Sequence, residues 1–127
     1  MDRTAQILLT ISFGVFFAIH AFAAPTHLSL PDWPAHALNH HLRGSISSAA
    51  LAVVGIVLVF TALRTRGGWW TIALILLASA GGFWFAYAAL EFGLEAERPK
   101  ALAAAVIQTV TGVPGLALAW RMSRSSN

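Results

Sequence analysis

Residues 69–90 read WWTIALILLASAGGFWFAYAAL and carry no charged side chain. About 20 mostly apolar residues are enough for a helix to cross a hydrocarbon core of about 30 Å. The stretch does not alternate apolar and polar residues, as a strand of a membrane β-barrel would. Because only a helix satisfies its own backbone polar groups in lipid, the stretch predicts a transmembrane helix.

Other apolar stretches of similar length occur before and after this one. The complete set predicts four spans, which lie at about residues 5–26, 34–63, 69–92 and 101–120. The second would begin near Pro34, with its membrane part at 45–63, so its first turns project beyond the hydrocarbon core. Short connections favour antiparallel neighbours. We therefore expect an all-α fold, an integral membrane four-helix up-down bundle in a single domain.

The first apolar stretch allows a second interpretation, as a signal peptide. Ala21-Phe22-Ala23 matches the small-x-small pattern of secretory cleavage sites and follows an apolar run. Cleavage there would leave three spans and a histidine-rich loop. The residues before the apolar run are only weakly basic, because Asp2 offsets Arg3. We therefore expect the first helix to be retained.

The composition separates this chain from several other classes of protein. Hydrophobic residues make up 57% and charged residues 10%, whereas a soluble domain carries about 25% charged residues. Disorder needs low hydrophobicity and high charge, so it is excluded as well. The absence of cysteine excludes disulfides and thiolate metal sites. The Lys and Arg residues are scattered between apolar blocks, so we expect a lipid bilayer as the partner and no nucleic acid.

The distribution of Lys and Arg predicts the orientation, because cytoplasmic loops carry an excess of these residues. An orientation with both termini inside places five of them inside (Arg3, Arg64, Arg66, Arg121 and Arg124) and three outside (Arg43, Arg98 and Lys100). We therefore expect a multi-pass protein with an N-in, C-in orientation; the bacterial inner (cytoplasmic) membrane is the expected location, as the resemblance described below implies.

All the histidines lie in the first third of the chain, at His20, His27, His36, His40 and His41. We assume that the first helix ends near His27, the second begins near Pro34 and the third ends near Glu97, all on the same side of the membrane. A rise of about 1.5 Å per residue then gives the depth of each side chain below these ends, and the side chains fall into two layers. The deeper layer contains His20, His40 and Glu91, and the shallower one His27, His36 and Glu95. His41 is turned about 100° from His40 and is predicted to lie outside both layers.

Imidazole and carboxylate groups together suit Zn, Fe, Mn or Cu, and paired histidines on facing helices suit haem. The predicted ligands are His20, His36, His40 and Glu91, with His27 and Glu95 as secondary candidates. A polar cluster at the membrane interface, with Glu91 paired to Arg43, is an equally supported alternative. Gln108, in the fourth span, is expected to hydrogen-bond into this cluster or to a neighbouring helix.

Small residues recur at four-residue spacing in every span and predict faces along which helices approach closely. The clearest sets are Thr10/Gly14/Ala18, Gly44/Ser48/Ala52, Ala78/Gly82/Ala86 and Thr111/Gly115/Ala119. With a metal site, the expected function is redox or hydrolytic chemistry on a lipid-soluble molecule. The alternatives are a non-catalytic assembly or stabilising subunit of a larger membrane complex, and a small homo-oligomeric transporter or binding protein.

Residues 33–40 read WPAHALNH and follow the first span. In this motif and in the order of its four spans, the chain resembles a family of small bacterial four-helix membrane proteins of unknown function. That family carries a similar Trp-Pro-x-His-Ala-x-x-His signature after its first helix. The resemblance implies a shared fold and implies no activity.

Overall fold

The computed structural model describes residues 3–28, 34–89 and 98–125, with all side chains except those of 23–28, 36, 89, 98 and 122–125. These residues form α1 (Arg3–Leu28), α2 (Ala35–Thr61), α3 (Arg66–Leu76), α4 (Gly82–Ala89) and α5 (Arg98–Ser125), and no strand. A π-helical turn, Leu77–Gly81, joins α3 to α4. We call α3, this turn and α4 the third span.

In the described part of the chain, four helical segments are long and apolar enough to cross a membrane: Arg3–Phe22, Ala37–Thr61, Arg66–Ala88 and Pro99–Arg121. Many of their large apolar side chains are exposed, as expected where lipid rather than protein is the neighbour. The expectation of an all-α, four-helix, multi-pass membrane protein in contact with the bilayer is therefore confirmed.

α2 begins at Ala35 directly after Pro34, as the sequence predicts. Proline suits this position because its fixed φ is close to helical and its missing N–H would have no intrahelical partner there. The Pro34 carbonyl accepts the first helical hydrogen bond, from the Leu38 N–H at 3.1 Å. The second helix therefore starts well before the uncharged part of its sequence.

α1 packs against both α2 and α5, whereas the third span makes fewer contacts with the other helices. The contacts show that α1 and α2 are antiparallel. The Gln6 side-chain amide donates to the Val59 carbonyl at 3.3 Å, and the Phe13 ring lies against Gly55 further along. The Gln6 bond also satisfies a carbonyl in the last turn of α2, where intrahelical donors run out.

The third span and α5 are antiparallel as well. The Trp69 indole N–H donates to the Leu116 carbonyl at 2.9 Å, and the Gln108 side-chain amide donates to the Ser79 hydroxyl at 2.7 Å. With a short turn between α2 and α3, these contacts establish the up-down order of the bundle.

Helices approach each other closely at several glycines, but only some of these glycines belong to the small-residue faces predicted from the sequence. A Cβ added at Gly115 would lie 2.9 Å from Leu9 Cγ, in agreement with the set Thr111/Gly115/Ala119. Gly14, Gly44 and Gly82, however, have no atom of the described residues within 4 Å of an added Cβ, so the close approach predicted at these three positions is wrong. Close approaches between spans occur instead at Gly55, against Phe13, and at Gly112, against Ser12 and Leu76.

Three tryptophans cluster where α3 begins and α5 approaches its end. The ring centroids of Trp69 lie 4.9 Å from those of Trp70 and 4.7 Å from those of Trp120. The antiparallel order places the amino-terminal Arg3 and the carboxyl end of α2 at this same end. We call it the tryptophan end, and the opposite end, which carries His20 and His41, the histidine end.

Candidate functional site

A cavity of about 410 Å³ lies between the helices at the histidine end, and all four spans contribute to its wall. We call it the histidine cavity. Its lining comprises Phe16, Ile19 and His20 of α1; His41, Ser45 and Ser48 of α2; Ala78, Ser79, Gly82 and Phe83 of the third span; and Ala101, Ala105 and Gln108 of α5. Ligand pockets typically measure about 300–1,000 Å³ and combine apolar walls with a few polar groups, and this cavity fits that description.

His20 is half-buried on α1 and faces this cavity. Its ring packs edge-on against Phe16, with centroids 4.7 Å apart and an interplanar angle of 81°. The aromatic contact holds the imidazole against the wall, because edge-to-face packing is the favoured geometry for two such rings.

The second histidine of the cavity is His41, and the prediction that His41 points away is wrong. His41 is half-buried and lines the cavity, whereas the side chain of the adjacent His40 is exposed. The reason is the register of α2. His41 shares its face with Ser45 and Ser48, which also line the cavity, at the i+4 and i+7 positions.

The floor of the cavity is a hydrogen-bonded group near the middle of the bundle. Gln108 of α5, only 4% exposed, donates its side-chain amide to the Ser79 hydroxyl at 2.7 Å. That hydroxyl donates in turn to the Leu76 carbonyl at 3.1 Å. On the other side, the Ser12 hydroxyl donates to the Gln108 backbone carbonyl at 2.8 Å. The expected hydrogen bond from Gln108 to a neighbouring helix is therefore present, and together with the Ser12 bond it connects three spans.

The π-helical turn Leu77–Gly81 shapes the third span where it borders this floor. A π turn adds one residue to the helical repeat and changes which residues face a neighbour, and such turns are frequent at functional sites. Here Ser79 lies within the turn, and Gly82 and Phe83, directly after it, line the cavity. Beyond the turn, the Trp84 indole N–H donates to the Thr109 hydroxyl at 2.9 Å and attaches α4 to α5.

The remaining predicted ligands cannot be placed in the cavity. Glu91 and Glu95 lie outside the described residues, and the side chains of His27 and His36 are also outside the described part. Among the described residues there is no group of three or more His, Cys, Asp or Glu side chains able to hold a metal ion. The metal site therefore stays a prediction, with His20 in the cavity wall and His40 outside it.

The polar side chains of the cavity wall lie at successive depths, from the histidine end towards the middle of the bundle. The α1–α2 contacts place His20 at about the level of Ser45 and Ser48, at least one turn deeper than His41. The Gln108–Ser79 pair lies deeper again, at the level of Ser12. The sequence-based prediction of the site did not include Ser45, Ser48 and Ser79. Ser45 and Ser48 lie on the same helix face as His41, and Ser79 lies close to Gly81-Gly82, and these positions are the signals for the site.

Comparisons with family models, with curated proteins and with solved structures found no match for this chain. The class that the fold defines is that of small, multi-pass, four-helix membrane proteins. The resemblance suggested by the WPAHALNH motif stays a prediction.

Proposed function

We propose that this chain is a membrane-embedded binding protein whose histidine cavity holds a small lipid-soluble molecule that carries hydrogen-bonding groups. The observation that supports this proposal is the row of polar side chains along an otherwise apolar cavity wall to which all four spans contribute. Polar groups within a bilayer are costly unless they are paired, and they commonly mark a site of function.

The chemistry of the wall restricts the ligand. Phe16, Ile19 and Phe83 provide apolar contact area, while the imidazoles of His20 and His41 offer both donor and acceptor nitrogens. Neither a carboxylate nor a Lys or Arg side chain lines the described wall, so a neutral molecule with hydroxyl, carbonyl or amide groups is favoured over an ion.

The decisive experiment fills the cavity without disturbing the packing. Gly82 lines the cavity and has nothing within 4 Å of an added Cβ, so Gly82→Leu adds a side chain where there is space. The matched control is Gly44→Leu, because Gly44 is equally open but does not line the cavity. Each protein is purified in mild detergent, extracted with organic solvent and analysed by mass spectrometry for co-purified small molecules.

We expect a molecule at near-stoichiometric amounts in the unmodified protein and in Gly44→Leu, and a loss of at least about ten-fold in Gly82→Leu, since a blocked pocket loses most of its buried contact area. Equal recovery from both variants would place the molecule elsewhere and contradict the proposal. So would the absence of any enriched molecule from the unmodified protein.

A transition metal (Zn, Fe, Mn or Cu) or a haem is a second candidate for the occupant, favoured by two histidines from two helices in one cavity. Further ligands would come from Glu91 or Glu95, beyond the end of α4. Such a centre would provide redox or hydrolytic chemistry for the same lipid-soluble class of molecule.

Two adjacent residues provide the test of the metal proposal. Metal content and the visible spectrum are measured for the unmodified protein, His41→Ala and the matched control His40→Ala. A site in the cavity predicts loss of the metal in His41→Ala and in His20→Ala, with retention in His40→Ala. Loss in His40→Ala instead would favour the ligand set His20, His36, His40 and Glu91. No metal in the unmodified protein would contradict both sets.

We further propose that the protein lies in the bacterial inner membrane with both termini in the cytoplasm. The cations Arg3, Arg64 and Arg66 at the tryptophan end support this orientation. The chain has no cysteine, so single cysteines can be labelled from outside intact spheroplasts with a membrane-impermeant maleimide. Ala35→Cys should react, and Gly67→Cys should react only after lysis; the reverse result would contradict the orientation.

The alternative roles, an assembly or stabilising subunit of a larger complex and a homo-oligomeric transporter, make a different prediction. Either role requires a stoichiometric protein neighbour, another subunit or a second copy. Purification from native membranes in mild detergent, followed by mass measurement of the intact complex, distinguishes both from a monomeric binding protein.

A further inference from the structure

A second cavity, of about 360 Å³, lies at the tryptophan end between the first turns of α1 and the last turn of α2. We call it the Arg3 cleft. Its lining consists of Arg3, Gln6, Ile7, Thr10 and Ile11 of α1 and Phe60 of α2. The Arg3 side chain is exposed, as are Ile7 and Phe60, so the cleft opens towards the surroundings of the bundle and is separate from the histidine cavity.

We propose that the Arg3 cleft binds one anionic phospholipid, with its phosphate at Arg3 and an acyl chain along Ile7, Ile11 and Phe60. Ile11 follows Arg3 by eight positions, which corresponds to about 12 Å along α1. The lining therefore changes from cationic to apolar in the direction in which a phospholipid changes from headgroup to chain. Basic pockets between membrane helices are a known mode of recognition for anionic headgroups.

The charge of the surrounding surface supports an anionic rather than a zwitterionic headgroup. Arg64, Arg66 and Arg121 are exposed at the same end of the bundle as Arg3. No Asp or Glu side chain lines the described cleft. A cationic surface attracts anionic lipids, and the cleft adds a shaped apolar contact to this attraction.

Thr10 provides an independent observation. Its hydroxyl oxygen is buried and has no hydrogen-bond partner among the described residues. The hydroxyls of Thr61, Thr71, Thr109 and Thr111, in contrast, each donate to the carbonyl four residues earlier. A buried hydroxyl without a partner is costly. Thr10 lines the cleft, and the ester carbonyl of a bound lipid would be an acceptor for its hydroxyl.

The test is a lipid titration followed by native mass spectrometry of the purified, detergent-solubilised protein, with phosphatidylglycerol and phosphatidylcholine as the two probes. We expect one phosphatidylglycerol to bind more tightly than phosphatidylcholine. Arg3→Gln should weaken the binding of that lipid about five-fold, the effect of one cation near an anionic headgroup. The matched control, Arg66→Gln, removes the same charge from the same end outside the cleft and should weaken this binding clearly less than Arg3→Gln does.

A third variant tests the shape of the cleft independently of its charge. Ile11→Trp fills the lower part of the cleft and should reduce phosphatidylglycerol binding while Arg3 is retained. Equal effects of Arg3→Gln and Arg66→Gln would show general attraction to a basic surface and overturn the proposal. So would equal affinity for the two lipids, or unchanged binding in both Arg3→Gln and Ile11→Trp. None of these outcomes bears on the histidine cavity, which lies at the other end.

Discussion

The tryptophan end and the histidine end are built from the same four helices but differ in how closely those helices pack. At the tryptophan end, Trp69 donates to Leu116 and contacts two other indoles. Leu9 and Ile72 are completely buried in this half. At the histidine end, the same helices enclose a cavity of about 410 Å³. The interior of the dense half therefore stabilises the bundle, and its Arg3 cleft lies at the surface, whereas the open half has its cavity between all four spans.

The boundary between the two halves is the Gln108–Ser79 pair beside the π-helical turn. On the side of the tryptophan end, glycines allow the helices to approach closely, as at Gly112. On the side of the histidine end, the third span makes few contacts with the other helices. Close packing and van der Waals contact supply most of the association energy between helices in lipid, so substitutions in the two halves should have opposite effects.

The largest expected effect is an added methyl group in the dense half. A Cβ at Gly112 would lie 2.7 Å from the Ser12 hydroxyl oxygen and 2.8 Å from Leu76. Gly112→Ala should therefore lower the free energy of unfolding by about 1–3 kcal/mol, the usual cost of overpacking. The measurement is unfolding in mixed micelles with increasing dodecyl sulfate, followed by circular dichroism.

The matched control for this prediction is Gly82→Ala in the open half, where an added Cβ meets nothing within 4 Å. It should be neutral or stabilising by up to about 1 kcal/mol, because alanine favours helix more than glycine. If both substitutions destabilise the protein equally, the two halves do not differ in packing.

The next effect is expected at the boundary. Ser79→Ala removes the acceptor of the Gln108 side-chain amide and leaves a buried donor without its partner. We expect a loss of about 1–1.7 kcal/mol in the same unfolding measurement, at the upper end of interhelical hydrogen bonds in membranes. Ser47→Ala, at an exposed position of α2, is the control and should have no measurable effect. An equal loss of unfolding free energy in Ser79→Ala and Ser47→Ala would argue that the Gln108–Ser79 hydrogen bond does not hold the third span against α5.

The smallest effect concerns a single hydrogen bond at the tryptophan end. Trp69→Phe keeps an aromatic ring but removes the indole N–H that donates to Leu116. We expect a loss of about 0.6–1 kcal/mol, the average contribution of such bonds between membrane helices. Trp70, which is 49% exposed, provides the comparison, and Trp70→Phe should cost less. The reverse order would mean that ring contacts, not the hydrogen bond, stabilise this end.

Parts of the site could be predicted from the sequence and parts could not. The start of α2 was predictable because Pro34 acts through local backbone geometry. His20 lies in the cavity wall, but the α1–α2 contacts place it at least one turn deeper than His40, so these two histidines do not share the predicted layer. That His41 rather than His40 borders the cavity was not predictable from spacing alone, because both lie at similar depth and differ only in the face of α2 that they occupy. The π-helical turn that brings Ser79 to the cavity floor has no simple sequence signature.

The sequence by itself determined the number of spans, their approximate limits and the helical class, because crossing a bilayer depends on local length and hydropathy. Only the tertiary structure decided which faces turn inward, where a cavity opens and which histidine borders it. The physical reason is that lipid and protein interior are about equally apolar. A hydrophobic pattern that orients a helix in a soluble protein therefore carries little information here, and contacts such as those of Gly112 with Ser12 and Leu76 set the arrangement instead.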